Sequence, residues 1–257
     1  MKIVNNYFFN KIPKTRPIVF LHAHADDESF LSAGLINKFI INSYKIILIY
    51  LAASLVNGEE KTIIRQKELR DAARVIGIKN IFYLNYCEPK YTSGKPLYIQ
   101  KIEDVANDIL EVLRKENIFD FELFSYDKNG GYGNNDHVIV HKIGRYIFEN
   151  TKSLQNLYEI TIPREKYLKW IDLNKGKLSN AYLPKLEYWT KEFGLRSNEI
   201  DYIFKLSESQ LNLKRNALIK HKSQIKLDEF PLILNRHDFT LLFGSEYFVK
   251  IDKNITS

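Results

Sequence analysis

Five short, apolar, β-branched runs recur along this chain with amphipathic stretches between them, and that alternation limits the fold more than any other feature. The runs are Pro17 to Leu21, Lys45 to Ala52, Asn80 to Leu84, Phe121 to Phe124 and Leu157 to Ile162. Each reads as a buried strand. Between them, Ser29 to Asn42 carries Phe30, Leu31, Leu35, Ile36, Phe39 and Ile40 at helical period. Thr62 to Ile76 does the same and stops at Gly77, a left-handed cap, while Ile102 to Lys115 and Asp136 to Asn150 supply two further helices. Strand and helix in strict alternation predict an α/β fold with a Rossmann-like, open, mostly parallel sheet and helices on both faces. If the sheet is doubly wound in the order 3-2-1-4-5, a crevice opens between strands one and four, where the winding reverses.

The same reading divides the chain into an N-terminal extension over 1–16, a catalytic core over 17–165, and a mixed C-terminal extension over 166–257 that packs on the same domain. The extension shows one clear helix, Glu208 to His221, and two late strand candidates, Phe230 to Leu234 and Phe239 to Phe243. With 45% hydrophobic and 27% charged residues, the chain has the makeup of a soluble globular protein. The formal charge of +7 comes mainly from lysines at no regular spacing, which describes a solvated surface and leaves room for an acidic or phosphorylated substrate. No aromatic and basic signature of a nucleic-acid module is present. A single cysteine, Cys87, excludes an internal disulfide, the first sixteen residues lack the apolar stretch of a signal peptide, and no apolar run approaches a membrane span. The expectation is a cytoplasmic protein whose oligomeric state the sequence leaves open.

Chemistry concentrates in the two loops that this topology brings together. His24-Ala25-Asp26-Asp27-Glu28 leaves the first strand, and Asp136-His137, with His141 four residues on, follows Gly130-Gly131-Tyr132-Gly133 after the fourth. An Asp-Asp-Glu run before a helix is also what N-capping produces. Four of the six histidines, however, fall in or beside these two loops. His24, Asp27 and His137 form a set of nitrogen and oxygen donors suited to one Zn2+ per chain or another divalent first-row ion. Adjacent carboxylates project in different directions, so Asp26 is free to act as general base on metal-bound water, and Asp136 to accept a ring N–H from His24. His141 either pairs with His137 on one helix face or packs the helix; His22 suits the core; Cys87 suits packing.

These residues resemble the PIG-L/LmbE-like deacetylases. Ala23-His24-Ala25-Asp26-Asp27-Glu28 is similar to that family's Ala-His-Pro-Asp-Asp-Glu signature, and Gly130 to His137 resembles its second motif, which usually ends His-Pro-Asp-His. Arg65-Gln66-Lys67-Glu68-Leu69 resembles the Arg-x-x-Glu-Leu helix, and Lys214, Ala217-Leu218 and His221-Lys222-Ser223-Gln224 resemble a segment near the family's C-terminus. The resemblance implies a zinc-dependent hydrolase that removes an N-acetyl group from an N-acetylglucosamine-type amino sugar or its conjugate. It implies His24, Asp27 and His137 as ligands, Asp26 as base, and Arg65 as a sugar contact. It further implies substrate-binding positions at Glu88, Tyr132 and His221, His221 being equally explained as a helix-end residue facing the dipole. Two departures stand out. Ala25 replaces a proline, and Asn134 stands where several members place a histidine, so an amide that donates a hydrogen bond but carries no charge occupies a catalytic position beside Asp136. An amidase acting on another acyl or thiol conjugate, or a catalytically weakened sugar-binding member, are the alternatives.

Overall fold

The computed structural model describes residues 1–52, 59–84, 86–87, 95–174 and 192–253. Its main sheet contains β1 (Lys2–Ile3), β2 (Ile18–His22), β3 (Ile46–Tyr50), β4 (Asn80–Tyr83), β7 (Glu122–Tyr126), β8 (Asn156–Thr161), β9 (Tyr202–Lys205) and β10 (Ser245–Asp252). The short strands β5 (Tyr86–Cys87) and β6 (Lys95–Pro96) pair separately. Across the sheet the order is β1-β9-β10-β8-β7-β2-β3-β4. The five strands expected from the sequence therefore lie in the doubly wound order, with β2 flanked by β3 and β7 in parallel. Every residue of β2, β3 and β7 is buried, as parallel strands covered on both faces require. Phe20 stacks on Phe124, and Phe124 on Tyr158, each at 4.6 Å between ring centroids, a ladder that fixes strand register through the core.

Helices cover both faces. On one side α2 (Ala33–Ile41), α3 (Glu59–Ile76) and α8 (Glu208–Leu218) pack together; on the other, α4 (Ile102–Lys115) packs against α6 (Asn135–Asn150). The remaining α-helices among the described residues are α1 (Asn6–Asn10), the short turn α5 (Gly130–Gly133), α7 (Arg164–Asn174) and α9 (Arg236–Phe243). In α4, Val105, Ala106, Ile109 and Leu113 are buried at positions that recur every three to four residues, so burial of one stripe drives its formation. The stretch Ser29 to Asn42, expected as one helix, opens instead with a π-helical turn, Glu28–Ser32, before α2 begins. π-turns are uncommon and favour functional sites, and this one carries the residues that follow Asp27.

Two expectations in the C-terminal part are corrected. Phe239 to Phe243 is helical: Phe239, Leu242 and Phe243 are buried with spacing three and four, which is one face of α9. Phe230 to Leu234 forms turns, with Ile233 N–H donating to Glu229 and Leu234 N–H to Pro231. Its buried Leu232 and Leu234 flank an exposed Ile233, an alternation that imitates a strand. The described strands of this part are β9 and β10, and β10 runs antiparallel between β8 and β9. At the far edge β1 pairs in parallel with β9, while Phe8 and Phe9 of α1 enter the common core against Tyr158 and Phe39.

Candidate metal and active site

The two loops named from the sequence meet at the C-terminal ends of β2 and β7, where the strand order reverses. Three side chains form a triangle there, Asp27 entering it through both carboxylate oxygens. His24 Nδ1 lies 3.2 Å from His137 Nε2, His137 Nε2 lies 3.2 Å from Asp27 Oδ1, and His24 Nδ1 lies 3.7 Å from Asp27 Oδ2. Among the described residues, His24, Asp27 and His137 are the group of buried donors able to share one ion. Tetrahedral ligation with bonds of about 2.0–2.1 Å sets neighbouring donors about 3.3 Å apart, so the triangle fits a zinc-sized cation.

Contacts outside the triangle fix how its members face. His137 Nδ1 donates to the carbonyl of Gly130 at 3.1 Å, which leaves the Nε2 lone pair pointing inward. His24 Nε2 donates to Asp136 Oδ2 at 2.9 Å, leaving its Nδ1 lone pair pointing at the same spot. Two lone pairs facing each other at 3.2 Å repel unless a proton or a metal ion sits between them. Asp27 Oδ2 accepts from the His24 N–H at 2.8 Å and from the Tyr126 hydroxyl at 2.7 Å. Burial alone would raise Asp27, but His137 and then His24 outweigh it and hold this carboxylate below the usual range. Asp27 makes no capping hydrogen bond at the helix that follows, so the capping explanation does not describe it.

The second loop owes its shape to its sequence. Asp127, fully buried, accepts the N–H of Asn129 at 2.7 Å and of Gly131 at 3.3 Å and so holds the turn after β7. Gly130 sits at φ +62°, and a Cβ there would fall 2.7 Å from His137 Cβ and 2.8 Å from Val138 N; only glycine lets the chain pass close enough for its carbonyl to hold His137. Asn134 then caps α6, its Oδ1 accepting the Asp136 N–H at 2.8 Å, and the first turn of that helix presents Asp136 and His137. Tyr132 sits beside them, its hydroxyl 3.4 Å from His137 Nε2.

Asp26 lies next to the triangle at φ +123°, a backbone conformation that non-glycine residues rarely adopt. Burial, and after it the charge of Asp27, pushes its carboxyl up to about 7, while Arg65, His221 and His24 pull the other way. Arg65, 2% exposed, also donates to the carbonyl of Ala25 at 3.4 Å. Glu28 is fully buried and gathers contacts: Tyr50 donates to Oε2 at 2.7 Å, the Asp26 N–H to the same oxygen at 3.1 Å, and His221 Nε2 meets Oε1 at 2.9 Å. Burial opposes ionisation of Glu28, but His221, Ser29 and Tyr50 carry it down to about 2.

Other expected positions fall into place differently. His221, expected at the sugar, has no exposed surface; it is held on Glu28 and Ser29, away from solvent. His141 packs its helix, with Nδ1 3.1 Å from both the Tyr126 carbonyl and Glu159. His22, pushed down to about 4 by burial, is a neutral core residue between Tyr126 and Ser32. Cys87 is buried, and Glu88 lies outside the described residues. Sequence reasoning missed Tyr126, whose hydroxyl donates to Asp27, accepts from the Ala23 N–H at 2.9 Å and contacts His22. Its position at the end of the fourth strand, across the crevice from His24, was the available signal.

The C-terminal motif residues serve these same elements. Glu68 of α3, three residues after Arg65, receives the Ser223 N–H at 2.9 Å and its hydroxyl at 2.6 Å. Lys214, 1% exposed, pairs at 2.6 Å with Glu246, which in turn accepts the N–H groups of Gly34 and Leu35 at the start of α2.

Known proteins resemble this chain at both levels. A mycothiol S-conjugate amidase from Streptomyces coelicolor is 25% identical over 244 residues, covering 81% of this chain and 82% of the relative. A 1D-myo-inositol 2-acetamido-2-deoxy-alpha-D-glucopyranoside deacetylase from Acidothermus cellulolyticus is 21% identical, with 91% and 88% covered. Among solved structures, the N,N'-diacetylchitobiose deacetylase of Pyrococcus horikoshii shares the fold at a TM-score of 0.57 and 18% identity over 94% of this chain and 86% of that one. The A40926 pseudoaglycone deacetylase does so at 0.64 and 12% identity, over 93% and 98%. The model of the family described as PIG-L, GlcNAc-PI de-N-acetylase, matches residues 19–148, just over half of the chain and the span that holds both loops, and the chain belongs to that family.

Proposed function

We propose that this protein is a metal-dependent amide hydrolase that removes the N-acetyl group from an N-acetylglucosamine-type amino sugar, free or conjugated. The observation that carries the reading is the triangle of His24, Asp27 and His137, in which one ring nitrogen of each imidazole faces inward and the other is held by Asp136 or the Gly130 carbonyl. These three residues would hold zinc, with Asp136 orienting His24 and Tyr126 orienting Asp27. When bound, zinc supplies a Lewis acid that lowers the pKa of water toward about 7 and polarises the amide carbonyl.

The protein's own groups do the rest. Asp26 accepts the proton of the attacking water, and a carboxyl pushed up to about 7 is matched both to taking that proton and to returning it to the leaving amine. Acetate and a free amine result. Arg65 and Tyr132 serve as sugar contacts in this reading, and the Asn134 amide serves the reaction only as a neutral donor, since its oxygen is committed to the α6 cap. Names of related proteins support the substrate class, three of those above being deacetylases of amino-sugar compounds or a pseudoaglycone. The amidase among them favours a second reading, cleavage of a larger amide in a thiol conjugate.

Among the described residues no helix is long and apolar enough to cross a membrane. With one cysteine, we read the protein as cytoplasmic, acting on a small-molecule or glycoconjugate substrate. The test is zinc content measured with acetate release from a panel of N-acetyl amino sugars, run beside amine release from an acylated amino-sugar thiol conjugate. Protein purified without chelator that holds no metal, and that added zinc does not activate, refutes the hydrolase reading.

A further inference from the structure

The buried pair of Glu28 and His221 has no part in metal binding, yet it reaches the proposed base through the backbone. Glu28 Oε1 receives His221 Nε2 at 2.9 Å and the Ser29 hydroxyl; Glu28 Oε2 receives Tyr50 at 2.7 Å and the Asp26 N–H at 3.1 Å. Asp26 is the residue held at φ +123°. A conformation of this kind is strained and persists only where surrounding contacts over-determine it. The hydrogen bond from its N–H to Glu28 is such a contact, and it exists only while the Glu28 carboxylate keeps its orientation. His221 is the partner that sets that orientation: both side chains are fully buried, His221 Nε2 meets Oε1 at 2.9 Å, and without the imidazole the Oε1 end would keep only Ser29. His221 comes from the far side of the chain, 193 residues away in sequence. Its own loop is anchored by Ser223 on Glu68, in the helix that also carries Arg65. Among the described residues His221 Nδ1 is buried with no hydrogen-bond partner, and Glu28 and Ser29 hold the ring at its Nε2 end.

We infer that His221 is a positioning residue for Asp26: by pairing with Glu28 it fixes the carboxylate that holds the Asp26 backbone in its strained conformation, and so aims the base at the metal-binding triangle from the C-terminal part of the chain. This rests on the reading of Asp26 as the base. It replaces the expectation of a sugar contact for His221 with an indirect role.

The full-length, zinc-loaded protein is compared with His221→Gln and His221→Asn. Glutamine places its amide nitrogen where Nε2 stood and keeps the donor to Glu28; asparagine places it near Nδ1 and does not. The expected result is that H221N lowers kcat by about 10- to 100-fold, the scale of a misaimed catalytic group, with KM and zinc stoichiometry held within about twofold, while H221Q recovers most of kcat. Crystal structures of the two variants are expected to show Asp26 leaving positive φ in H221N and keeping it in H221Q. A raised KM with unchanged kcat returns His221 to substrate contact and overturns the inference. So does an H221N structure in which Asp26 keeps φ near +123° and its bond to Glu28. Wild-type protein that binds zinc but hydrolyses none of the amino sugars sinks Asp26 as the base instead, and the two structures still decide whether His221 holds its backbone.

Discussion

Lys214 and Glu246 give a sharp test of how the C-terminal part holds the site. Their side chains are 1% and 2% exposed and 2.6 Å apart, and Glu246 also accepts the Gly34 N–H at 2.9 Å and the Leu35 N–H at 2.7 Å. Burial drives the Lys214 ammonium below its usual pKa, and Glu246 opposes that shift. The two partners are therefore not equivalent. Glu246→Ala strands a buried ammonium and uncovers two amides at the start of α2, so its cost belongs at about 3–5 kcal/mol, the range for breaking a buried pair from one side. Lys214→Met leaves a methylene stem of similar length, and Glu246 keeps two charge-assisted bonds at a helix N-terminus, so its cost belongs nearer 1–3 kcal/mol. For a chain of this size, about 4 kcal/mol moves Tm by roughly 8–16 °C. Urea denaturation of wild type, both single variants and the double variant would measure the asymmetry and a coupling of about 2–3 kcal/mol. Equal costs, a larger cost for K214M, or no coupling would refute the assignment of Glu246 as the shared anchor.

Three further outcomes follow from the site. Asp136→Asn keeps all three ligands but weakens the acceptor that orients His24, so zinc affinity should fall about 10- to 100-fold in chelator competition; unchanged affinity contradicts that role. Asp26 must be deprotonated to accept a proton, so kcat/KM should fall as pH drops through its pKa, which burial and Asp27 push up to about 7 and a nearby cation lowers. Asp26→Asn should remove that acidic limb with a rate loss of about 10²- to 10⁴-fold at unchanged metal content, and an acidic limb surviving in D26N assigns the proton elsewhere. Tyr126→Phe leaves the Ala23 N–H without its acceptor and Asp27 without its hydroxyl donor, which should cost about 1–3 kcal/mol in the metal-free protein by urea denaturation; a neutral result denies the hydroxyl its bracing role.

The central sheet was legible because its strands are covered on both faces. Ile18 to His22 and Ile46 to Tyr50 bury every residue, so Ile18 to Leu21 and Ile46 to Tyr50 appear in the sequence as unbroken apolar runs. Parallel crossover topology then placed the loops after β2 and β7 opposite each other, which made His24, Asp27 and His137 readable as one set. The strands β9 and β10 were not readable, since Tyr202–Lys205 and Ser245–Asp252 mix buried, half-buried and charged positions without a clean period. Turns with alternating burial at Phe230 to Leu234 produced the opposite error. The position of His221 was out of reach for another reason. Its partners, Glu28 and Ser29, lie on a different element, and no local pattern records a contact spanning 193 residues.

The place of β10 bears on the order in which the molecule assembles. Among the described strands it comes last in sequence, yet it is paired on both edges, with β8 and β9. As the chain emerges from N to C, the five strands β2, β3, β4, β7 and β8 can associate first and carry the three donor residues with them. β9 and β1 have no edge to join until β10 is laid down, and Glu246 arrives on that same strand. The metal-ligating residues thus leave the ribosome before the strand that anchors Lys214 and the start of α2. A chain cut before Ser245 would leave the open edge of β8 exposed, and an unpaired edge invites other chains, so truncation should yield aggregates in place of a weakened monomer.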